Sequence, residues 1–238
     1  MISFKKLGNF GRLGNSIFEA AATIALAKRN DDQYIFPPWA DAQYFNLNNC
    51  FSNSIQTTSN YEETCYAYRP IPYKPNLNIH GYFQSEKYFI DYADEIRRIF
   101  TPKSKIPRHN GVASIHVRRT DYIKFPNHHP LCDMSYYEKA MMEVGVNKFI
   151  IFSDDMAWCK EHFKGNQFEF SEGNAHYQDL ALMASCEHHI IANSSFSWWG
   201  AWLNPNKKNV IAPKRWFGPA LAPTHPITDL IPNGWRLI

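Results

Sequence analysis

From about residue 110 onward the chain alternates short apolar runs with helical patterns. VASIHV (112–117), KFIIF (148–152), QFEF (167–170), HIIA (189–192) and NVIAP (209–213) have strand length and are bounded by polar turns. Between them the pattern predicts helices from Ser135, near 155–163, near 176–187 and over SFSWWGAWL (195–203). Ser135 with Glu138 three residues on has the form of a capping box, which supports a helix start at that point. Strands regularly separated by helices build parallel βαβ units, so this half reads as a Rossmann-like α/β domain.

The first half is less regular. ISFKKL reads as a strand, GNFGRLGN as a glycine loop, and SIFEAAATIALAKR as a helix with Ile17, Ala21, Ile24 and Ala25 on one face. Residues 37–80 carry Pro37, Pro38, Pro70, Pro72 and Pro75 among Asn, Ser and Thr, a composition of long irregular loops. NIHGYF follows as a strand, and Ser85 is placed to cap a helix running to about Phe100. The Pro- and Lys-rich segment 101–111 is the best linker, giving two expected domains, 1–105 and 106–238.

Composition narrows the function classes. The 238 residues are 45% hydrophobic and 16% aromatic, enough to bury one large core or two smaller ones. A net charge of only +3, with no Lys/Arg run, argues against a nucleic-acid partner. The start MISFKKLGNFGRLGN leaves no room for a signal-peptide apolar region, and no later run approaches the ~18 apolar residues of a membrane span, so a cytoplasmic location is the default expectation. Five scattered cysteines, Cys50, Cys65, Cys132, Cys159 and Cys186, form no ligand motif and read as reduced structural thiols.

Three stretches carry candidate chemistry. IHVRRTDY (115–122) sets Arg118 and Arg119 where a strand runs out, the place where open α/β sheets bind ligands. Guanidinium forks suit phosphate oxygens, so an anionic ligand is one reading; an ion network with Asp121 and Asp154 is the other. Strand alternation also allows one arginine to face a ligand and the other to face structure. In GNFGRLGN, Gly8, Gly11 and Gly14 either bring backbone N–H groups close to an anion or only form a tight turn. In IIANSSFSWWGAW, Asn193, Ser194 or Ser195 would cap a helix whose first N–H groups suit a phosphate, while Trp198, Trp199 and Trp202 read as core. No alternating acidic triplet or His/Asp/Glu cluster implies a metal, and no G-x-S-x-G or Cys/His arrangement implies a nucleophile.

Taken together, GRLGNSIFEAAA, IHGYFQSEKYF, HVRRTDY, FIIFSDDMAWCK, DLALMASCEHHIIANSSFSWWGAWLN and VIAPKRWF resemble, in the same order from near residue 11 to near 217, the α-1,2-fucosyltransferase family, glycosyltransferase family 11. The resemblance implies an α/β, GT-B-like fold of two Rossmann-like domains facing each other across a cleft. The N-terminal domain would serve the acceptor and the C-terminal domain GDP-fucose. It further implies inverting transfer of L-fucose from GDP-β-L-fucose to a galactose-containing glycan acceptor, without a metal or other cofactor. Arg118 would neutralise the leaving pyrophosphate, and His116 and Asp179 match guanosine contacts. Ser194, Ser195 and Phe196 would close over the phosphates, while Asn15 matches a residue that approaches the phosphates or fucose; Arg119 would hold the site together.

Asp121 is the favoured general base, with a role in orienting Arg118 as the alternative, and His128 and His129 are further candidates. Two departures stand out: Ser16 follows Gly14-Asn15 where the family usually has Gln, and Thr120 stands where Gly is commoner. The chain is also shorter than most relatives in its N-terminal half, where acceptors bind. Another linkage, another GDP-sugar and a silent glycan- or nucleotide-binding module remain alternatives.

Overall fold

The computed structural model describes residues 1–104 and 106–238. The chain forms two compact units, Met1–Lys103 with Thr224–Pro232, and Ser104–Pro223 with Asn233–Ile238. The short segment Thr224–Pro232, which the sequence pattern leaves with the second half, therefore belongs to the first; there Asp229 accepts from the backbone N–H of Tyr68 and pairs with Lys87. Lys105, the expected end of the first domain, lies outside the described residues.

In the first unit, β1 (Ile2–Ser3) leads through the glycine loop into α1 (Leu13–Arg29), followed by β2 (Tyr34–Ile35), β3 (Ser59–Glu62), β4 (Leu77–His80) and α2 (Ala93–Phe100). The sheet order is β2-β1-β4-β3 and every pairing is parallel. The ISFKKL strand is cut short because the chain already turns at Phe4, whose carbonyl accepts from the Leu7 N–H. The helix expected from Ser85 to Phe100 is divided. Ser85 caps only the single turn Glu86–Tyr88, and Phe89, fully buried against Phe18, breaks the spiral before a second turn, Ile90–Tyr92, and α2.

Helix α1 also differs from the one-faced helix its spacing predicts. Every residue from Leu13 to Ala27 is buried except Asn15. A helix rich in alanine is thin enough to be packed on all sides, so its polar positions are enclosed along with its apolar ones. Glu19 is one of them. It is fully buried, its carboxyl oxygens have no hydrogen-bond partner among the described residues, and burial pushes its pKa up to about 9.

The second unit holds β5 (His109–Val117), α3 (Met134–Val144), β6 (Phe149–Ser153), α4 (Met156–His162), β7 (Phe168–Phe170), α5 (His176–Ser185), β8 (Cys186–Ile190), α6 (Ser195–Leu203), β9 (Val210–Ala212) and β10 (Arg236–Leu237). These strands form one parallel sheet in the order β10-β9-β8-β5-β6-β7. Ala113, Ile115 and Val117 share a core with Tyr137, Ala140 and Val144 of α3, whereas Ile150 and Phe152 pack with Met183 and Phe196 in a cluster that includes α5 and α6 residues. Period-two alternation thus divides β5 and β6 between two helical layers. Trp198, Trp199 and Trp202 are buried and pack on one another, as core residues do.

The cap of α3 is Asp133, not Ser135. Its carboxylate accepts from the Tyr136 N–H at 3.0 Å, and the Ser135 hydroxyl donates to the same oxygen at 2.7 Å. An ionised Asp accepts both bonds at once, which a serine hydroxyl at the helix end does less well. All five cysteines are free thiols. Among the described residues no helix is long and apolar enough to cross a membrane.

Glu19 gives the fold a measurable pH dependence. An acid whose pKa rises on folding must keep its proton in the native state, so stability falls as pH rises from about 4.5 toward about 9. At pH 7 this costs roughly 3 kcal/mol, at 1.36 kcal/mol per unit. Glu19→Gln should therefore flatten the stability-versus-pH curve between pH 5 and 8, measured by urea unfolding. Parallel curves for the two proteins would show that Glu19 is ionised in the fold.

Candidate active site

All strands of the second sheet run parallel, so their C-terminal ends share one edge. From β5 the order runs one way to β6 and β7, and from β8 the other way to β9 and β10, so the connections reverse between β5 and β8. Ligands of open α/β sheets lodge in the crevice at such a point. The residues bordering it are those after Val117 and after Ile190.

Arg118 follows β5 directly and its side chain is 14% exposed. Its Nη2 donates to Asp121 and its Nη1 lies 2.8 Å from Asp154, while the guanidinium carbon sits 5.5 Å from the centre of the Tyr122 ring. The Tyr122 hydroxyl donates to the Asn193 carbonyl at 2.8 Å, linking the β5 loop to the residues after β8. Arg119 turns elsewhere: it pairs with Asp155 at 3.0 Å and lies over the Trp158 ring at 4.1 Å, both belonging to the start of α4. The two side chains therefore go different ways, and the ion network read as the alternative is present. A guanidinium has five N–H donors, so the bonds to Asp121 and Asp154 leave donors over.

Asp154 organises this loop. Besides Arg118 it accepts from the backbone N–H of Arg119 at 2.9 Å and from the backbone and hydroxyl of Thr120. Burial alone would raise its pKa, but the Thr120 and Arg119 hydrogen bonds and the Arg118 charge outweigh it and hold the carboxyl below its ordinary range.

His116 is buried, with Nδ1 2.9 Å from the Ser197 hydroxyl and its ring 5.7 Å from that of Phe196. Burial pushes its pKa down to about 4, so the imidazole is neutral at physiological pH. Ser194 caps α6 by accepting from the Phe196 N–H at 3.4 Å; Ser194, Ser195 and Phe196 are half-buried at the helix start. Asn193 is buried and donates to the carbonyls of Pro130 and Trp216, which fixes the turn out of β8. Asp179, in the first turn of α5, accepts from Ser171 and Asn174 on one carboxyl oxygen, and burial raises its pKa despite these bonds.

The second unit thus gathers His116, Arg118, Asp121, Ser194, Ser195 and Phe196 around the β5–β8 reversal, with Asp179 on the same edge beyond β7. His129 stacks on Tyr122 at 4.7 Å, and His128 is exposed. Tyr122 and Asn193 are structural partners of the site whose tertiary contacts have no signature in the residue spacing.

Asn15 belongs to the first unit, near the start of α1, which follows the central strand β1. Gly8 and Gly11 adopt positive φ of 77° and 94°, as tight turns require. A Cβ on Gly11 would stand 2.5 Å from the Asn15 amide nitrogen, so this glycine also makes room for that side chain. Asn15 accepts from Gln84 Nε2 at 2.9 Å, and Tyr66 donates to Gln84 in turn. Beside this network Glu63, immediately after β3, accepts from the backbone N–H groups of Tyr82 at 2.8 Å and Phe83 at 3.2 Å. Nothing in the local sequence NYEETCYAY marks it; only the β3–β4 pairing brings it there.

The family model described as glycosyl transferase family 11 matches residues 23–222. An Escherichia coli protein named alpha-1,2-colitosyltransferase is 37% identical over 166 residues, 60% of this chain and 57% of the relative. The O-antigen biosynthesis glycosyltransferase WbnK, also of E. coli, is 39% identical over 48% of this chain and 42% of its own length. Galactoside alpha-(1,2)-fucosyltransferase 2 of Oryctolagus cuniculus is 28% identical over 81% of this chain and 65% of the relative. The chain thus matches about two fifths to two thirds of the length of these relatives. Among solved structures, POFUT1 in complex with GDP-fucose superposes with a TM-score of 0.52 at 12% identity, over 89% of this chain and 97% of that one. This likeness shows the fold, α/β of the GT-B class.

Asp154→Asn should lower stability by about 1.5–3 kcal/mol at pH 7, the range for hydrogen bonds made to a charged group. Because the native pKa is depressed, that contribution is complete above the unfolded value near 3.8 and is lost as pH falls through the lower native value. Denaturant titrations should therefore separate the two proteins at pH 7 and bring them together as pH falls through the depressed native value; a difference independent of pH would refute the assignment.

Proposed function

The chain belongs to glycosyl transferase family 11, and on that premise we propose that it transfers L-fucose from GDP-β-L-fucose to a hydroxyl of a galactoside, with inversion, forming an α-1,2 linkage without a metal ion. The observation that carries the reading is Arg118, a mostly buried guanidinium fixed by two carboxylates where the sheet order reverses. In such a transfer the bond from the anomeric carbon to the diphosphate breaks, and negative charge collects on the departing pyrophosphate. A pre-oriented guanidinium meets that charge without reorganising, as does the start of α6 at Ser194, Ser195 and Phe196.

The remaining residues have roles that their surroundings support. Neutral His116 serves the guanosine portion through hydrogen bonding, not charge. Asp179 uses one oxygen for Ser171 and Asn174, which leaves the other for the adjacent N–H donors of a guanine edge. Asp121 orients Arg118: a carboxylate whose oxygen already faces a guanidinium has a defined electrostatic task. Asn15 carries a donor contact from the first unit. Arg119, stacked on Trp158 and paired with Asp155, braces the loop.

A second donor deserves a parallel assay, because one relative is named for colitosyl transfer. Purified protein incubated with GDP-fucose or GDP-colitose, EDTA, and lactose or galactose should release GDP only when an acceptor is present, and an α-1,2-specific fucosidase should digest the fucosylated product. Arg118→Ala should reduce turnover about 10²- to 10³-fold, as loss of a transition-state donor does. Turnover within tenfold of the parent would refute the role of Arg118, and GDP-fucose binding without turnover for any galactoside would favour a silent binding module.

A further inference from the structure

The first unit holds a cleft of about 410 Å³ along the second half of α1, lined throughout by residues of that unit. Ala22 and Leu26 of α1 and Tyr88 from the turn capped by Ser85 are buried and form its floor. Tyr68, Ile71 and Tyr73, from the segment between β3 and β4, form one wall. The polar rim is made by Arg29, Asn30, Lys87 and Asp91. None of these residues has a part in the proposed transfer.

The wall is pinned in place although residues 63–76 contain no regular element. The Tyr68 N–H donates to Asp229 at 2.9 Å, the Arg69 N–H to the Tyr88 hydroxyl at 3.3 Å, and the Tyr73 hydroxyl to Asp32 at 3.2 Å. The Tyr68 ring also meets that of Tyr88 edge-on at 4.8 Å. The cleft is therefore preformed, and its volume lies within the roughly 300–1,000 Å³ of small-molecule sites.

The rim decides which chemistry fits. Arg29 donates from Nε to Asp91 at 2.8 Å, which leaves its two Nη groups and the other Asp91 oxygen with bonding capacity to spare. Asn30 spends its amide N–H on the Leu26 carbonyl at 2.8 Å and keeps its amide oxygen as an acceptor. A wholly apolar ligand would strip water from the Arg29–Asp91 pair without replacing it. An anion is poorly served as well, because Arg29 and Lys87 already face Asp91 and Asp229, and the C-terminal carbonyls of α1 carry negative partial charge. A sugar ring satisfies both parts: its C–H face suits the tyrosine wall, and adjacent hydroxyls accept from Arg29 while donating to Asp91.

We propose that this cleft is a binding site for a neutral mono- or disaccharide, with the ring against the Tyr68–Tyr73 wall and vicinal hydroxyls spanning Arg29 and Asp91. It is separate from the glycine loop of the same unit. Helix α1 joins two parallel strands and so returns the chain to the opposite edge of the sheet, setting Arg29 about 21 Å along the helix from Asn15 at roughly 1.5 Å per residue. The proposal does not rest on the transferase reading; a cleft of this kind holds sugar whether or not the protein transfers one.

Methyl NMR reads the cleft directly through the Ile71 δ1 resonance, identified by its loss in Ile71→Val. Titration of the parent with galactose, L-fucose, glucose and lactose should shift that resonance saturably for at least one sugar, with a Kd of about 1 mM. The double variant Arg29→Met with Asp91→Leu should bind that sugar at least tenfold more weakly, while methyl resonances remote from the cleft stay in place. The proposal falls if none of the four sugars shifts Ile71, or if the double variant keeps the parent's affinity. It falls too if sodium phosphate shifts Ile71 at lower concentration than any sugar, since the cleft would then be an anion site. Sugar transfer by the parent, present or absent, alters none of these outcomes.

Discussion

Two guanidinium groups follow one another at the end of β5, and in a partly buried loop their charge must be met by carboxylates. Asp154, from the end of the neighbouring strand, is the first of these. It binds the Arg118 guanidinium, the Arg119 N–H and both polar groups of Thr120, so a single carboxylate fixes three consecutive residues. Asp121 completes the support of Arg118, and Asp155 with Trp158 draws Arg119 away. A buried ion pair of this kind contributes little net stability against its desolvation cost, but breaking it leaves an uncompensated charge. The network is therefore better understood as a device for holding Arg118 in one orientation.

That orientation matters because of where the loop lies. Parallel pairing puts every strand's C-terminal end on one edge, and the order β8-β5-β6 opens that edge where the chain's connections diverge. Arg118 comes from one side of the opening and the start of α6 from the other. They are tied through the Tyr122 hydroxyl and the Asn193 carbonyl. The buried tryptophans of α6 anchor the helix from behind, so its first turn is held in place for whatever binds there. The polar groups of the second unit thus sit on or directly beside regular elements, His116 in β5, Asp179 in α5, and Arg118 and Ser194 next to the ends of β5 and α6.

The first unit repeats the principle on a smaller sheet. There the glycine loop, Asn15 and the turn after β4 meet beside β1 and β4, the central pair of the sheet. Here the distinguishing polar groups are an amide network and a carboxylate without a cation, in contrast to the arginine-rich edge of the second unit.

Much of this was legible in the sequence. The alternating runs of the second half determined the βαβ order, and the paired arginines marked a strand end, because period-two alternation and the placement of loop charges are local properties. GRLGNS and SSFSWWGAWL were readable for the same reason: turns, caps and helix starts depend on neighbours within a few residues. Other features depended on contacts between distant residues. The burial of α1 on all sides, which encloses Glu19, depends on the elements packed around it. Phe89 broke a helix that Ser85 appeared to begin, since its burial against Phe18 outweighed local propensity. Glu63 acquired its position only when β3 paired with β4 and brought the N–H groups of residues about twenty positions away to its carboxyl. The sequence determined which residue types stand at each strand end; tertiary structure decided which carboxylates meet a cation and which do not, because electrostatic environment is set by distance in space and not by spacing along the chain.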